Sequence, residues 1–123
     1  MPEGPEIRRA ADAVDAAIGG SKTTKVWFGQ EHLKPFEAKL NYQLVLSVTS
    51  RGKAMLTRFE NGLTIYSHNQ LYGRWYICNP GNTPDTRRQL RLAIHNPEHS
   101  ALLYSASEIE VLDEDGVSQH PFL

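Results

Sequence analysis

Between Gln43 and Leu112 the chain consists mostly of short runs in which apolar and polar residues alternate, each closed by a turn signal. A period of two over so few residues suits half-buried antiparallel strands and no long helix. Leu44, Leu46 and Val48 alternate with smaller or polar neighbours. After Arg51-Gly52-Lys53 the run Ala54–Phe59 resumes, which predicts a hairpin with Lys53 near its tip. Glu60-Asn61-Gly62 is a turn signal. Further strands are expected at Leu63–Ser67 and at Gly73–Cys78, where Trp75 and Ile77 share a face. Pro80–Thr86 is polar and turn-rich. Leu90, Leu92 and Ile94 alternate again, and Asn96-Pro97-Glu98-His99 turns the chain into Ala101–Tyr104, with a last short strand at Glu108–Leu112. The fold class that accommodates these elements is mainly β with α: a two-layer antiparallel β-sandwich of about eight strands, preceded by an N-terminal amphipathic helix.

That helix is predicted from Ile7, Ala10, Ala11, Val14, Ala17 and Ile18, which recur at helical spacing from Pro5 onward with Arg8, Arg9, Asp12 and Asp15 between them. Pro5 suits a first helical position, Gly4 suits the cap, and Gly19-Gly20 suits a left-handed ending. Lys25–Gly29 reads as a short strand. Glu31–Leu40, interrupted by Pro35, reads as a loop with at most one helical turn. The chain has 123 residues, 40% of them apolar, enough for one core and hence one domain spanning residues 1–123. No run approaches the ~20 apolar residues of a membrane span, and no basic segment leads into an apolar run at the N-terminus, so a cytoplasmic protein without a membrane partner is expected. Cys78 is the only cysteine and reads as a strand-packing residue. His95 and His99 are separated by a proline turn and make no helical metal pair, so no metal is expected in this chain. The formal charge is −1, with Arg51, Lys53, Arg74, Arg87, Arg88 and Arg91 in the middle and Asp113, Glu114 and Asp115 near the end. The net charge alone does not mark a nucleic-acid binder, but the distribution leaves room for a local basic face.

The opening string Met-Pro-Glu-Gly-Pro-Glu carries the chemistry. Methionine ahead of proline is ordinarily removed, which would leave Pro2 with a free secondary amine. An α-amino group titrates near ~8 against ~10.4 for lysine, so a useful fraction is nucleophilic at neutral pH. An iminium formed from a secondary amine has no N–H proton to lose, and it stays cationic as an electron sink for elimination. Glu3 is a candidate acid/base beside it, and Glu6 a candidate to orient Glu3 or the amine. The same residues also suit an ordinary helix start, with proline and carboxylates at the positive end of the dipole.

The string resembles the start of the formamidopyrimidine-DNA glycosylase and endonuclease VIII family. "SRGKAML" at Ser50–Leu56 is similar to that family's phosphate-binding hairpin, and "YSHNQLYG" at Tyr66–Gly73 to the void-filling loop of its endonuclease VIII branch. The likeness continues through "LLYSAS" and "HPFL". It implies that Pro2 attacks the sugar C1′ to form a Schiff base, that Glu3 is the acid/base for sugar opening and base release, and that Lys53 holds phosphates beside the lesion and donates a proton in β-elimination. It also implies that Gln70, Leu71 and Tyr72 fill the gap left by a flipped nucleotide, where apolar and aromatic side chains offset lost stacking and glutamine reaches the orphaned base. Arg74 is a candidate phosphate contact, and His68 reads as a structural hydrogen-bonding residue. The partner implied is double-stranded DNA with an oxidised base or an abasic site, bound by a monomer that removes oxidised pyrimidines in base-excision repair. Family members are about twice as long, with a helix–two-turn–helix region and a zinc-binding hairpin that these 123 residues do not include. Zinc is therefore expected only in that further region, and these residues alone are expected to act weakly or not at all. Three other readings remain: a non-catalytic damaged-DNA-binding domain, the formamidopyrimidine/8-oxoguanine specificity, and a plain β-sandwich interaction module.

Overall fold

The computed structural model describes residues 4–51, 54–68, 74–79, 89–106 and 108–119. Within them the expected helix and eight strands are present. Helix α1 (Gly4–Ile18) turns Ile7, Ala11, Val14, Ala17 and Ile18 inward and leaves Arg8, Arg9 and Asp12 in solvent. It already includes Gly4, which the sequence had suggested as the cap. At its far end Gly20 takes the left-handed conformation (φ 76°), while Gly19 is needed for a different reason. A Cβ there would lie 2.6 Å from the Asp15 carbonyl oxygen.

The strands form two antiparallel sheets. The first holds β1 (Lys25–Phe28), β6 (Leu90–His95), β7 (Ser100–Tyr104) and β5 (Arg74–Cys78), in the order β1-β6-β7-β5. The second holds β2 (Val45–Arg51), β3 (Ala54–Phe59), β4 (Thr64–His68) and β8 (Glu108–Leu112), in the order β2-β3-β4-β8. Val26, Phe28, Val48, Met55, Phe59, Ile65, Leu92, Ile94, Leu103 and Ile109 fill the space between the sheets together with the apolar stripe of α1. Burial on this scale is the main favourable term of the fold.

Both open sides of the sandwich are closed. α1 packs against the end strands β2 and β5 on one side. Its Asp15 carboxylate accepts the Val48 backbone N–H at 2.9 Å, and the Gly20 N–H donates to the Val45 carbonyl at 2.7 Å. Replacing Asp15 by alanine leaves the Val48 N–H without its acceptor and is expected to cost about 1–2 kcal/mol, read as a lower urea midpoint with an unchanged slope.

On the other side, residues 31–40 contact β1 and β8. Here the structure corrects the expected loop: Glu31–Phe36 is a 3-10 turn and α2 (Glu37–Leu40) continues it. Leu33 and Leu40 are buried there, which a loop spacing did not reveal. Pro35 sits inside the 3-10 turn, where its fixed φ is tolerated at the loss of one short-range bond. The segment also satisfies the free edge of β1. Phe28 N–H donates to Glu37 at 2.8 Å, Val26 N–H donates to Asn41 at 2.7 Å, and the Lys34 ammonium donates to the Phe28 carbonyl at 2.8 Å. An edge strand covered in this way offers no template for another chain.

Two bulges correct the expected alternation. A register shift between Val45 and Ser47 buries Val45 and leaves Leu46 56% exposed, although Leu44, Leu46 and Val48 had read as one face. A second shift between Leu90 and Leu92 turns Leu90 toward the outer cluster of Ala93, Leu102 and Tyr104, while Leu92 and Ile94 stay inside. Cys78 packs against that outer cluster, and Ile77, on the end strand β5, is 37% exposed. α3 (Glu114–Gln119) was not expected. The Asp113 carboxylate caps it by accepting the Gly116 N–H at 2.7 Å, and acidic residues occupy its first turn, an N-terminal signature present in the sequence.

Candidate active site

One end of the sandwich gathers the chain segments that flank every candidate site residue. α1 is anchored at its C-terminal end: Gly20 to Val45 at the start of β2, and the Ala17 carbonyl to the Asn96 side chain at 3.0 Å, between β6 and β7. From there the helix runs antiparallel to β2, with Asp15 level with Val48. The fourteen helical steps from Ile18 back to Gly4 span about 21 Å and the six strand steps from Val45 to Arg51 about 20 Å, so the Gly4 end of α1 lies toward the Arg51 end of β2. At that end Arg51 pairs with Ala54, Ala54 with His68, and His68 with Glu108. In the first sheet Arg74 and Leu90 both pair with Tyr104, again at the end of β7 remote from Asn96.

Pro2, Glu3, Lys53, Gln70, Leu71 and Tyr72 lie outside the described residues, as does the side chain of Glu6, whose backbone belongs to α1. What the structure brings together are their neighbours: Gly4, which follows Glu3; Arg51 and Ala54, on either side of Gly52-Lys53; His68 and Arg74, on either side of residues 69–73. Arg74 opens β5 and is exposed to solvent at this end. His68, half-buried, presents Nδ1 at 3.8 Å from a Glu108 carboxylate oxygen, too far for a hydrogen bond, and Nδ1 has no hydrogen-bond partner among the described residues, so the hydrogen bond expected of it is not formed there. Tyr66, one step behind on the same face, has its phenol pushed above the usual tyrosine range by burial and then by the Glu108 and Glu110 carboxylates. Sequence reasoning missed Glu108 as a member of this end. Only the pairing of β8 with β4 brings it there, and no local pattern encodes that long-range register.

His95 belongs to the opposite end. Its Nδ1 is 2.7 Å from the Ser100 hydroxyl, and its pKa is lowered by burial and then by Lys25, its cross-strand neighbour. His99 lies in the turn after it, where the Asn96 side chain accepts the Glu98 and His99 backbone N–H groups at 2.9 and 2.6 Å. No group of three or more His, Cys, Asp or Glu side chains is placed to hold a metal among the described residues, and none of their helices is long and apolar enough to cross a membrane. Because the unfolded chain binds a proton at His95 more readily than the folded one, stability falls as pH drops below about 6.5, the ordinary histidine value. Melting temperatures between pH 7.5 and 5.5 should fall less steeply in His95→Gln than in the native chain.

Residues 1–107 match the family model described as the formamidopyrimidine-DNA glycosylase N-terminal domain. Curated relatives named Endonuclease 8, from Salmonella schwarzengrund (strain CVM19633) and Salmonella typhimurium (strain SL1344), are 54% identical over 123 residues. The alignment covers 100% of this chain and 47% of each relative, so the chain spans about half the length of these proteins. Their name is that of the branch to which "YSHNQLYG" pointed. Among solved structures, Lactococcus lactis formamido-pyrimidine DNA glycosylase, non-covalently bound to DNA containing an AP site, superposes with a TM-score of 0.82 at 13% identity over 95% of this chain and 47% of that one. MutM in complex with DNA containing carbocyclic 8-oxo-G gives 0.81 at 14%, over 95% and 46%. At such low identity these two likenesses establish the fold: two four-stranded sheets and an N-terminal helix.

Proposed function

The chain belongs to the formamidopyrimidine-DNA glycosylase family, and from that membership we propose that it is the N-terminal catalytic part of an endonuclease VIII-type DNA glycosylase/AP lyase. Its substrate is duplex DNA with an oxidised pyrimidine or an abasic site, bound by a monomer in the cytoplasm. The observation that carries the reading is the gathering, at one end of the sandwich, of the five described residues that flank Pro2-Glu3, Lys53 and Gln70-Leu71-Tyr72, namely Gly4, Arg51, Ala54, His68 and Arg74. A single damaged nucleotide needs a nucleophile, a phosphate contact and a wedge within reach of one sugar, and sequence positions as far apart as 2, 53 and 71 meet that need only by such convergence.

The chemistry follows from the residue types. The Pro2 nitrogen attacks C1′ and gives up its proton as the bond from C1′ to the base breaks, the base leaving with a proton; Glu3 then protonates the ring oxygen as the C1′–O4′ bond breaks, opening the sugar. The resulting iminium acidifies the C2′ hydrogens. Loss of one of them expels the 3′ phosphate, and a second elimination expels the 5′ phosphate. Lys53 and Arg74 hold the phosphates, Glu6 orients the N-terminal pair, and Gln70, Leu71 and Tyr72 occupy the vacated stack. The zinc that the resemblance implies belongs to a region these residues do not include, and no step above uses it.

Borohydride trapping tests the proposal. The full-length protein, with loss of Met1 confirmed by intact mass, is expected to give a covalent adduct with an abasic-site duplex. Absence of the adduct while duplex binding persists would overturn catalysis through Pro2 in favour of a non-catalytic damaged-DNA-binding domain.

A further inference from the structure

On the outer face of the second sheet, cross-strand pairing sets Arg51 beside Ala54, Thr49 beside Leu56 and Ser47 beside Arg58, with Thr64 next to Arg58 on β4. The middle of this face is apolar: Ala54, Leu56 and Tyr66 are buried there and Leu112 packs against them. Toward α3 it opens into a cavity of about 350 Å³, lined by Arg51, Arg58 and Thr64 from the sheet and by Glu114, Val117 and Ser118 from the helix and its start. The reading of the catalytic end has no use for this cavity.

Its lining favours an anion. Neither guanidinium, Arg51 nor Arg58, takes part in an ion pair among the described residues. Arg58 stands four residues along β3 from Ala54, the partner of Arg51, about 13 Å away along the strand, and two extended arginine side chains can close that gap from its two ends. Thr64 is 4% exposed, so its hydroxyl belongs to the wall of the site and not to the open surface. Ser118 Oγ already donates to the Glu114 carbonyl at 3.1 Å. Glu114 is the single carboxylate in the lining and opposes any bound anion. A guanidinium pair with a hydroxyl level with one of its members, Thr64 beside Arg58, matches the planar, multidentate demands of a phosphate group.

We propose that this cavity is a phosphate-binding site, with Arg51 and Arg58 as its charged ligands, Thr64 as a hydroxyl donor and Glu114 as a built-in opponent that keeps affinity low. The phosphate can come from a nucleic-acid backbone running past the Arg51 end or from a free phosphate group, and the two sources are separable by experiment. The site is independent of the Pro2 chemistry: it can fail with trapping intact, and trapping can fail with the site intact.

The test uses the 123-residue chain and two substitutions of opposite sign. Inorganic phosphate is titrated while the arginine side-chain N–H resonances are followed by NMR, and binding of a labelled undamaged duplex is measured across a salt series. Phosphate should shift the native resonances saturably. Arg58→Met should weaken binding about tenfold, the ordinary cost of one phosphate contact, and Glu114→Gln should strengthen it a few-fold. If the duplex is the source, Arg58→Met also lowers the salt dependence of duplex binding by about one ion. If only inorganic phosphate responds, the site stands and its ligand is a free phosphate. Glu114 is exposed on a short surface helix, so Glu114→Gln reports even if Arg58→Met fails to fold. No gain in either binding assay on Glu114→Gln, or unchanged binding in a folded Arg58→Met, overturns the proposal.

Discussion

A single residue added ahead of Pro2 is expected to abolish borohydride trapping outright, with at least a thousandfold loss of strand cleavage at an abasic site and duplex binding nearly unchanged. The insertion turns a secondary amine into an amide, whose nitrogen lone pair is delocalised into the carbonyl and cannot attack C1′. No other group in the proposed mechanism substitutes for it: Lys53 is a primary amine with an ordinary value near ~10.4 and is assigned to phosphates. Losses of about this size are what removal of a lone nucleophile produces in covalent enzymes. Glu3→Gln gives the informative contrast. It keeps the amine and should still form an adduct on a ready-made abasic site while base release from an intact lesion collapses. Intact mass, trapping gels and a base-release assay separate the three states. Equal trapping by the extended and native proteins would eliminate Pro2 as the nucleophile.

The second large effect concerns the fold. Phe28→Ala is expected to cost about 3–5 kcal/mol, the range for emptying a fully buried aromatic site. Phe28 is 0% exposed, at the end of β1, and it packs in the main core with Leu92 and Leu103 of the same sheet. Its backbone N–H and carbonyl are held by Glu37 and Lys34, which leaves the surrounding chain little freedom to collapse into the vacancy. For a domain of this length the loss is a large part of a total stability of 5 to 15 kcal/mol, on the order usual for single domains. Urea unfolding followed by tryptophan fluorescence should show the midpoint falling with little change in slope. A loss below about 1 kcal/mol would mean that this end of the core repacks freely.

Much of this architecture was legible in the order of residues. The apolar stripe from Ile7 to Ile18 and the alternating run at Glu108–Leu112 set their own faces, because local period and burial agree, whereas Ala54–Phe59 is buried on both faces, Met55 and Phe59 in the main core and Ala54 and Leu56 in the outer cluster. The misreadings arose where a distant partner decides the matter. Leu46 looked like a core residue until a bulge at the start of β2 moved Val45 inward in its place. Residues 31–40 looked like a loop because Pro35 breaks the pattern, whereas the decisive force is the set of unpaired β1 backbone groups that Glu37, Asn41 and Lys34 satisfy. For the candidate site, the motifs named Pro2, Glu3, Lys53 and Gln70-Leu71-Tyr72 through chemistry and resemblance. That their flanking residues converge at one end is a property of strand order, and so is the presence there of Glu108.

The antiparallel run of α1 along β2 also makes the helix a fixed-length strut. Its far end is clamped through Asp15, Ala17 and Gly20, and its near end presents Gly4, two residues along the chain from the proposed nucleophile Pro2. Deleting one residue anywhere between Ile7 and Val14 would draw Gly4 back by about 1.5 Å and swing it about 100° around the helix axis. The terminus would then leave the helix facing another part of the sandwich, with every functional group still present. On the proposed mechanism, the number of residues in this helix is thus as strict a requirement as the identity of residue 2.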